Sequence, residues 1–192
     1  MRIASAQPNF RYGDQTHYPY SIGCLLSYAK TQHANLDIQP CFVLREHLYD
    51  YIERASQCDL LLVSNYVWNW SINVELAREV KGRNPQLRVV FGGPQVPNDP
   101  TGFFDTYPFV DVLVHSEGEL SASSVIGGAL SGPGITTRDH CSQPPQRLGD
   151  LMSLPSPYLD GTIDQLTSNI TGIRWVATWE TNRGCPYSCT FL

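Results

Sequence analysis

Two thiols stand close together in the run Arg183-Gly184-Cys185-Pro186-Tyr187-Ser188-Cys189-Thr190-Phe191-Leu192. Cys185 and Cys189 lie on a glycine-bearing loop that follows an apolar, strand-like stretch, Ile173 to Thr178. Thiolates are soft ligands that hold zinc and iron–sulfur clusters, so the pair is a candidate metal site. Two ligands do not close a coordination shell. A chance pair accounts for the spacing equally well, and a second chain would be one way to complete the site.

Three other stretches carry groups suited to holding a ligand. Ser64 ends an apolar run and can hydrogen-bond a ligand amide, while Tyr66 and Trp68 can cover a flat apolar face. The alternative is that Trp68 and Trp70 pack as core. Gly92 and Gly93, followed by Pro94, remove side chains where a backbone turns sharply or approaches a ligand closely. Glu117 and Glu119 open a helical pattern, where carboxylates favour the positive end of the helix dipole, and capping alone would explain them. No nucleophile triad, no phosphate-binding Gly-x-x-x-x-Gly-Lys-Ser/Thr and no Gly-x-Gly-x-x-Gly after the first strand occurs.

The elements that must position these groups alternate. Strand patterns cover Arg2 to Ala6, Leu36 to Leu44, Asp59 to Ser64, Leu87 to Phe91 and Asp111 to His115. Helical spacing covers Tyr20 to His33, Glu46 to Ser56, Ser71 to Lys81 and Glu119 to Leu130. Continuous apolar runs such as Leu60-Leu61-Leu62-Val63 are expected of strands buried on both faces of a parallel sheet. Right-handed crossovers then give an α/β fold, a flavodoxin-like doubly wound sheet of five mostly parallel strands. Ligands of such sheets bind outside the carboxyl ends of the strands, which selects the loops 7–20, 64–70, 92–98 and 115–119. Breakers crowd residues 131–160 (Gly132-Pro133-Gly134, Pro144-Pro145, Pro155-Ser156-Pro157), which predicts a surface linker between a domain at 1–130 and the start of another at 161–192. The strand and loop that close the chain make half of a βα unit, so the chain is expected to be a fragment, poorly ordered beyond about residue 160.

The chain has 192 residues, 42% hydrophobic and 16% charged, which excludes disorder as a whole. With 13 basic residues, unclustered, and a net charge of −5, it lacks an electrostatic footprint for nucleic acid or for an anionic membrane. No run approaches the ~20 apolar residues of a membrane span, and the start has no secretory h-region. Cys24, Cys41, Cys58 and Cys141 are scattered, as expected of reduced thiols in a cytoplasmic protein. Oligomeric state is not legible.

The motifs together resemble radical S-adenosylmethionine enzymes that carry an N-terminal cobalamin-binding domain. Cys185 and Cys189 match the first two cysteines of that family's cluster loop, Cys-x-x-x-Cys-x-aromatic-Cys, and Phe191 matches the aromatic residue. Leu192 stands where the third cysteine belongs. Upstream, Pro19-Tyr20-Ser21-Ile22-Gly23, Ser64-Asn65-Tyr66-Val67-Trp68-Asn69 and Gly92-Gly93-Pro94 look like the same branch. So does Ser116-Glu117-Gly118-Glu119, with Ser116 departing from the usual Gly-Glu-Gly-Glu, and so does Leu154-Pro155-Ser156-Pro157-Tyr158. The resemblance implies cobalamin held by Tyr20, Ser21, Ser64, Tyr66, Trp68, Gly92, Gly93, Pro94, Glu117, Gly118 and Glu119. It implies a 4Fe-4S cluster and S-adenosylmethionine in the full-length family. With Leu192 in place of a ligand, the cluster is not expected to assemble here, and the chain is expected to bind a small-molecule cofactor without being an active enzyme. The Asp-x-His-x-x-Gly motif that supplies a lower cobalt ligand elsewhere is absent; His17, three residues after Asp14, has the wrong spacing. The competing expectation is a regulatory or partner-binding module of the same fold without cofactor.

Overall fold

The computed structural model describes residues 1–183. Strands β1 (Arg2–Ala6), β2 (Gln15–His17), β3 (Asp37–Ile38), β4 (Leu60–Ser64), β5 (Arg88–Gly92), β6 (Val112–Val114), β7 (Ile135–Thr137) and β8 (Arg174–Val176) alternate with helices. These are α1 (Tyr20–Gln32), α2 (Leu48–Ala55), α3 (Trp70–Arg83), α4 (Phe103–Thr106), α5 (Glu119–Ile126) and α6 (Thr162–Thr167). The main sheet runs β3-β1-β4-β5-β6-β7. Its first five members are parallel, and in chain order they lie 2-1-3-4-5, the doubly wound flavodoxin-like arrangement.

Alternation along the strands divides the core. Ala4, Leu61, Val63, Val89, Phe91 and Leu113 face α2, α3 and α4. Ile3, Leu60, Leu62, Val90, Val112 and Val114 face α1, α5 and α6. Both faces are covered, which is why β4 reads as one unbroken apolar run. Trp70 joins the first layer, edge-on to Phe91 and Tyr107.

Four features differ from the sequence reading. The strand expected over Leu36 to Leu44 shrinks to β3, because Pro40 has no N–H for the ladder; Phe42 then rejoins β1 as a bridge to Ala6. Within the expected linker, β7 pairs antiparallel with β6, so the sheet has six strands rather than five. α6 is buried rather than loose: Ile163 and Leu166 are shielded, Gln165 Nε2 donates to the Ile38 carbonyl (2.9 Å), and Cys41 N donates to the Leu166 carbonyl (2.8 Å). Gly23 makes this docking possible, since a Cβ there would lie 2.9 Å from Ile163 Cδ1 and 3.1 Å from Pro157 Cβ. Finally, β8 does not stand alone but pairs with β2 in a separate two-stranded parallel sheet.

Packing also sets thiol reactivity. Burial pushes Cys41 up to about 12 and Cys24 and Cys58 up to about 11, while Cys141 is exposed. Because the thiolate is the reacting species, alkylation of the native protein at pH 8 should modify Cys141 at least about tenfold faster than the other three. Peptide mapping reads the sites, and equal rates at Cys41 and Cys141 would contradict the packing described. Among the described residues, no helix is long and apolar enough to cross a membrane.

Candidate functional site

The carboxyl ends of β4, β5 and β6 open onto one cavity of about 420 Å³, within the range of small-molecule sites. Its floor is the sheet, its walls are the first turns of α1 and α5, and its rim carries Arg147 and residues of the segment 180–183. Ten of the eleven residues expected to hold a cofactor line it: Tyr20, Ser21, Ser64, Tyr66, Gly92, Gly93, Pro94, Glu117, Gly118 and Glu119. Trp68 does not. It stacks on Tyr66 with ring centres 4.5 Å apart and stays partly exposed, buttressing a lining residue instead of lining the cavity. Cys185 and Cys189 lie outside the described residues, and among those described no group of three or more metal-ligating side chains gathers.

Each loop is held for a local reason. Gln7, just beyond β1, reaches under α1, where its Oε1 accepts from Ile22 N (3.2 Å) and satisfies a donor that Pro19 cannot cap. Ser21 Oγ lies 2.6 Å from Tyr66 Oη, tying α1 to the loop after β4. That loop is built on three fully buried asparagines. Asn69 Nδ2 donates to the Ser64 and Pro8 carbonyls (3.1 and 3.2 Å), and its Oδ1 accepts from Tyr66 N (2.8 Å). Asn73 Nδ2 donates to the Ser64 carbonyl and to Asn65 Oδ1 (3.2 and 3.0 Å). These groups fix Ser64 and Tyr66 without touching the cavity. Gly93, at φ +95°, passes so close to Asn65 that a Cβ would sit 2.6 Å from its carbonyl oxygen.

The loop after β6 carries the charge. Glu119 is 3% exposed at the first turn of α5, and its Oε1 meets Arg183 Nη2 at 2.6 Å. The same guanidinium contacts Glu180 Oε2 (2.9 Å) and faces Glu117 Oε2 at 3.6 Å; Arg147 Nε lies 3.7 Å from Glu117 Oε1. The carboxylates hold Arg183 firmly in its charged state, the Glu119 hydrogen bond contributing most. Beside Glu180, burial pushes Tyr20 up to about 12, helped by its contact with Cys24. Both groups therefore enter the neutral range as uncharged hydroxyl and thiol.

Ser116, which precedes this acidic pair, has φ +60°. A non-glycine residue there costs roughly 1 kcal/mol or more, and glycine would add back about 0.4–1 kcal/mol of unfolded-state entropy. Ser116→Gly is therefore expected to leave stability unchanged or raise it by up to about 1 kcal/mol, unlike glycine at an ordinary loop position. A clear fall in the urea midpoint would count against the left-handed assignment.

The fold and the cavity together define a flavodoxin-like α/β domain with a cleft at the carboxyl end of its parallel strands. The chain is 38% identical, over 90% of its length, to the cobalamin-dependent radical SAM methyltransferase TokK of Streptomyces tokunonensis. It matches the 2-(S-pantetheinyl)-carbapenam-3-carboxylate methyltransferase of Streptantibioticus cattleyicolor with the same identity and coverage. Over the segment it spans, the chain is thus homologous to these two methyltransferases; that segment is 28% of each relative's length. No protein-family model matches the chain. Among solved structures it is similar to the N-terminal domain of the hypothetical protein TM0182 of Thermotoga maritima, at 20% identity and a TM-score of 0.42, covering 62% of this chain and 92% of that one.

Sequence reasoning missed Arg183, Arg147 and the asparagine triad. Arg183 had a signal, since a Glu-x-Glu at a helix start needs a cation if it is buried. Asn65 and Asn69 stand inside the singled-out stretch Ser64 to Asn69 and Asn73 inside the predicted helix, but nothing local marks their buried hydrogen-bonding role.

Proposed function

We propose that this chain binds a corrinoid in the cleft above β4, β5 and β6 and that it is not itself a competent enzyme. The observation that carries the reading is convergence: ten residues from four separate loops, selected by resemblance to a cobalamin-binding domain, line a single cavity. The donor set fits the group. Gly92 and Gly93 give backbone access without side chains, Tyr20 and Tyr66 offer aromatic surface, and Ser64 offers a hydroxyl, all suited to a macrocycle edged with amides. Glu117, Glu119 and Arg183 each keep a buried polar atom without a hydrogen-bond partner among the described residues, as a polar ligand rim would require.

What the corrinoid supplies when bound is a cobalt centre able to carry a methyl group. The chain's own residues bind and orient it. Ser64 is held at the floor by the asparagine lattice, and Tyr66 is braced by Ser21 and Trp68. His17 sits on β2 with Nδ1 3.3 Å from Thr178 Oγ1 and is not among the cavity-lining residues. In this reading residues 1–130 carry most of the cleft, residues 131–160 add β7 to the main sheet and Arg147 to the cavity lining, and residues 161–183 pack α6 onto the same core before supplying Glu180 and Arg183. The relatives' methyl transfer is the reaction the complete architecture would serve, in the reducing cytoplasm.

The test is direct. The full chain is mixed with hydroxocobalamin and desalted, and the visible spectrum of the protein fraction is recorded. A corrinoid band near one per chain, of the form lacking a lower-ligand nitrogen, is the expected result. No retained corrinoid on a chain still folded by circular dichroism would favour a cofactor-free module.

A further inference from the structure

We infer that Glu117, Glu119 and Arg183 form a reading site for one primary carboxamide, so that the cleft recognises its ligand by an amide substituent at the ring edge. The inference rests on the corrinoid reading above and assigns a chemical role to one wall of the same cavity.

All three side chains line the cavity. Glu119 Oε1 is taken by Arg183 Nη2, but its Oε2 has no hydrogen-bond partner among the described residues, although the side chain is 4% exposed. Glu117 Oε1 faces Arg147, and its Oε2 is likewise without a partner. Arg183 donates through Nε and Nη2 to Glu180 and Glu119, leaving Nη1 unmatched. Glu117 Oε2 and Arg183 Nη1 stand 3.6 Å apart, too far for a good hydrogen bond and close enough for the oxygen and nitrogen of one planar group to meet both.

The unmatched set is therefore two acceptors and one donor. A primary carboxamide offers the complement, two N–H donors and one carbonyl acceptor. A carboxylate brings no donor and adds an anion beside Glu117, Glu119 and Glu180. An ammonium leaves Nη1 unmet, and a hydroxyl has a single hydrogen to give. Sites that hydrogen-bond a ligand group reject analogues lacking it, because the buried partners are then left unpaired. The corrin ring is edged with acetamide and propionamide groups, so the chemistry exists on the proposed ligand. The geometry is fixed before binding by the ion pairs on Arg183 and by the first turn of α5.

The experiment measures binding of hydroxocobalamin and of its monocarboxylic acid derivatives, each with one peripheral amide hydrolysed, to the full chain at pH 8. One derivative should bind at least about tenfold more weakly than hydroxocobalamin, and the others within about threefold. In Glu117→Gln, checked for folding by circular dichroism, the deficit of that one derivative should shrink below about threefold, because the nearest repelling charge is gone and the new side-chain amide can donate to the acid. If every derivative binds like hydroxocobalamin, or if the deficit persists unchanged in Glu117→Gln, the amide site is wrong while the corrinoid reading stands. If hydroxocobalamin itself is not retained, both fall together.

Discussion

Gly93→Ala should destabilise the protein by roughly 2–6 kcal/mol, combining ~1–3 kcal/mol of backbone strain with a similar overpacking cost. The strain arises because φ is +95°. The overpacking arises because the new Cβ meets backbone: the Asn65 carbonyl oxygen at 2.6 Å and its nitrogen at 2.8 Å. Asn65 has little room to yield. Its N–H donates to the Gly92 carbonyl (2.8 Å), its carbonyl accepts from Gln95 N (3.1 Å), and its side chain is held by Val63 and Asn73. Gly82→Ala is the matched control, on α3 with nothing within 4 Å of the new methyl group, and should stabilise by about 0.5–1 kcal/mol. Urea unfolding of both variants separates the cases. A Gly93→Ala midpoint equal to that of the parent would mean that the two loops do not approach as described. On the proposed corrinoid reading, the same change should abolish retention, because it pushes apart the β4 and β5 exits that floor the cleft.

The second large effect concerns charge. Arg183→Ala should cost roughly 2–4 kcal/mol at pH 8, because it leaves Glu119 buried without its cation. The 2.6 Å contact joins two side chains that are 14% and 4% exposed, so solvent screens it weakly. Adding Glu119→Gln to the variant should recover most of the loss, since the uncompensated charge is then gone, and the double-mutant cycle isolates the coupling. A loss in Arg183→Ala that the second substitution leaves untouched would assign the arginine's effect to Glu180 or to packing. Substitutions at exposed pairs such as Arg174–Asp14 should move stability by less than about 1 kcal/mol.

How far these features were legible depends on the range over which each residue is determined. β4 announces itself locally, because a strand covered on both faces must be apolar throughout. α1 and α3 do so through their helical period. β2 does not, because Gln15-Thr16-His17 is short and polar and becomes a strand only by pairing with residues 174–176. β7 hides in a stretch dominated by Gly and Pro, and its role comes from lying beside β6. The same contrast holds in the cleft. Gly92 and Gly93 mark a close approach by their side-chain absence, and Tyr66 marks a cavity wall by its type. Trp68 shares that type, yet it lies behind Tyr66, a distinction only three-dimensional placement makes. Arg183 belongs to the cleft through partners 64 and 66 positions away, Glu119 and Glu117, which no local pattern discloses.

The β2–β8 pairing also orders events during synthesis. The parallel part of the main sheet is complete once Val114 has been made, and its strands are linked by compact crossovers. The small sheet must wait for Arg174, whose N–H donates to the Asp14 carbonyl 160 positions earlier (2.8 Å). At translation rates of ~5–20 residues per second that delay is on the order of 3–12 s. A nascent chain stalled with β6 clear of the ribosome but Arg174 not yet made should therefore already protect the amides of β4 and β5 from exchange, while Tyr18, whose N–H bonds to the Val176 carbonyl, stays open. The ribosome thus delivers a finished floor before Glu180 and Arg183, which complete the cavity lining, have been made.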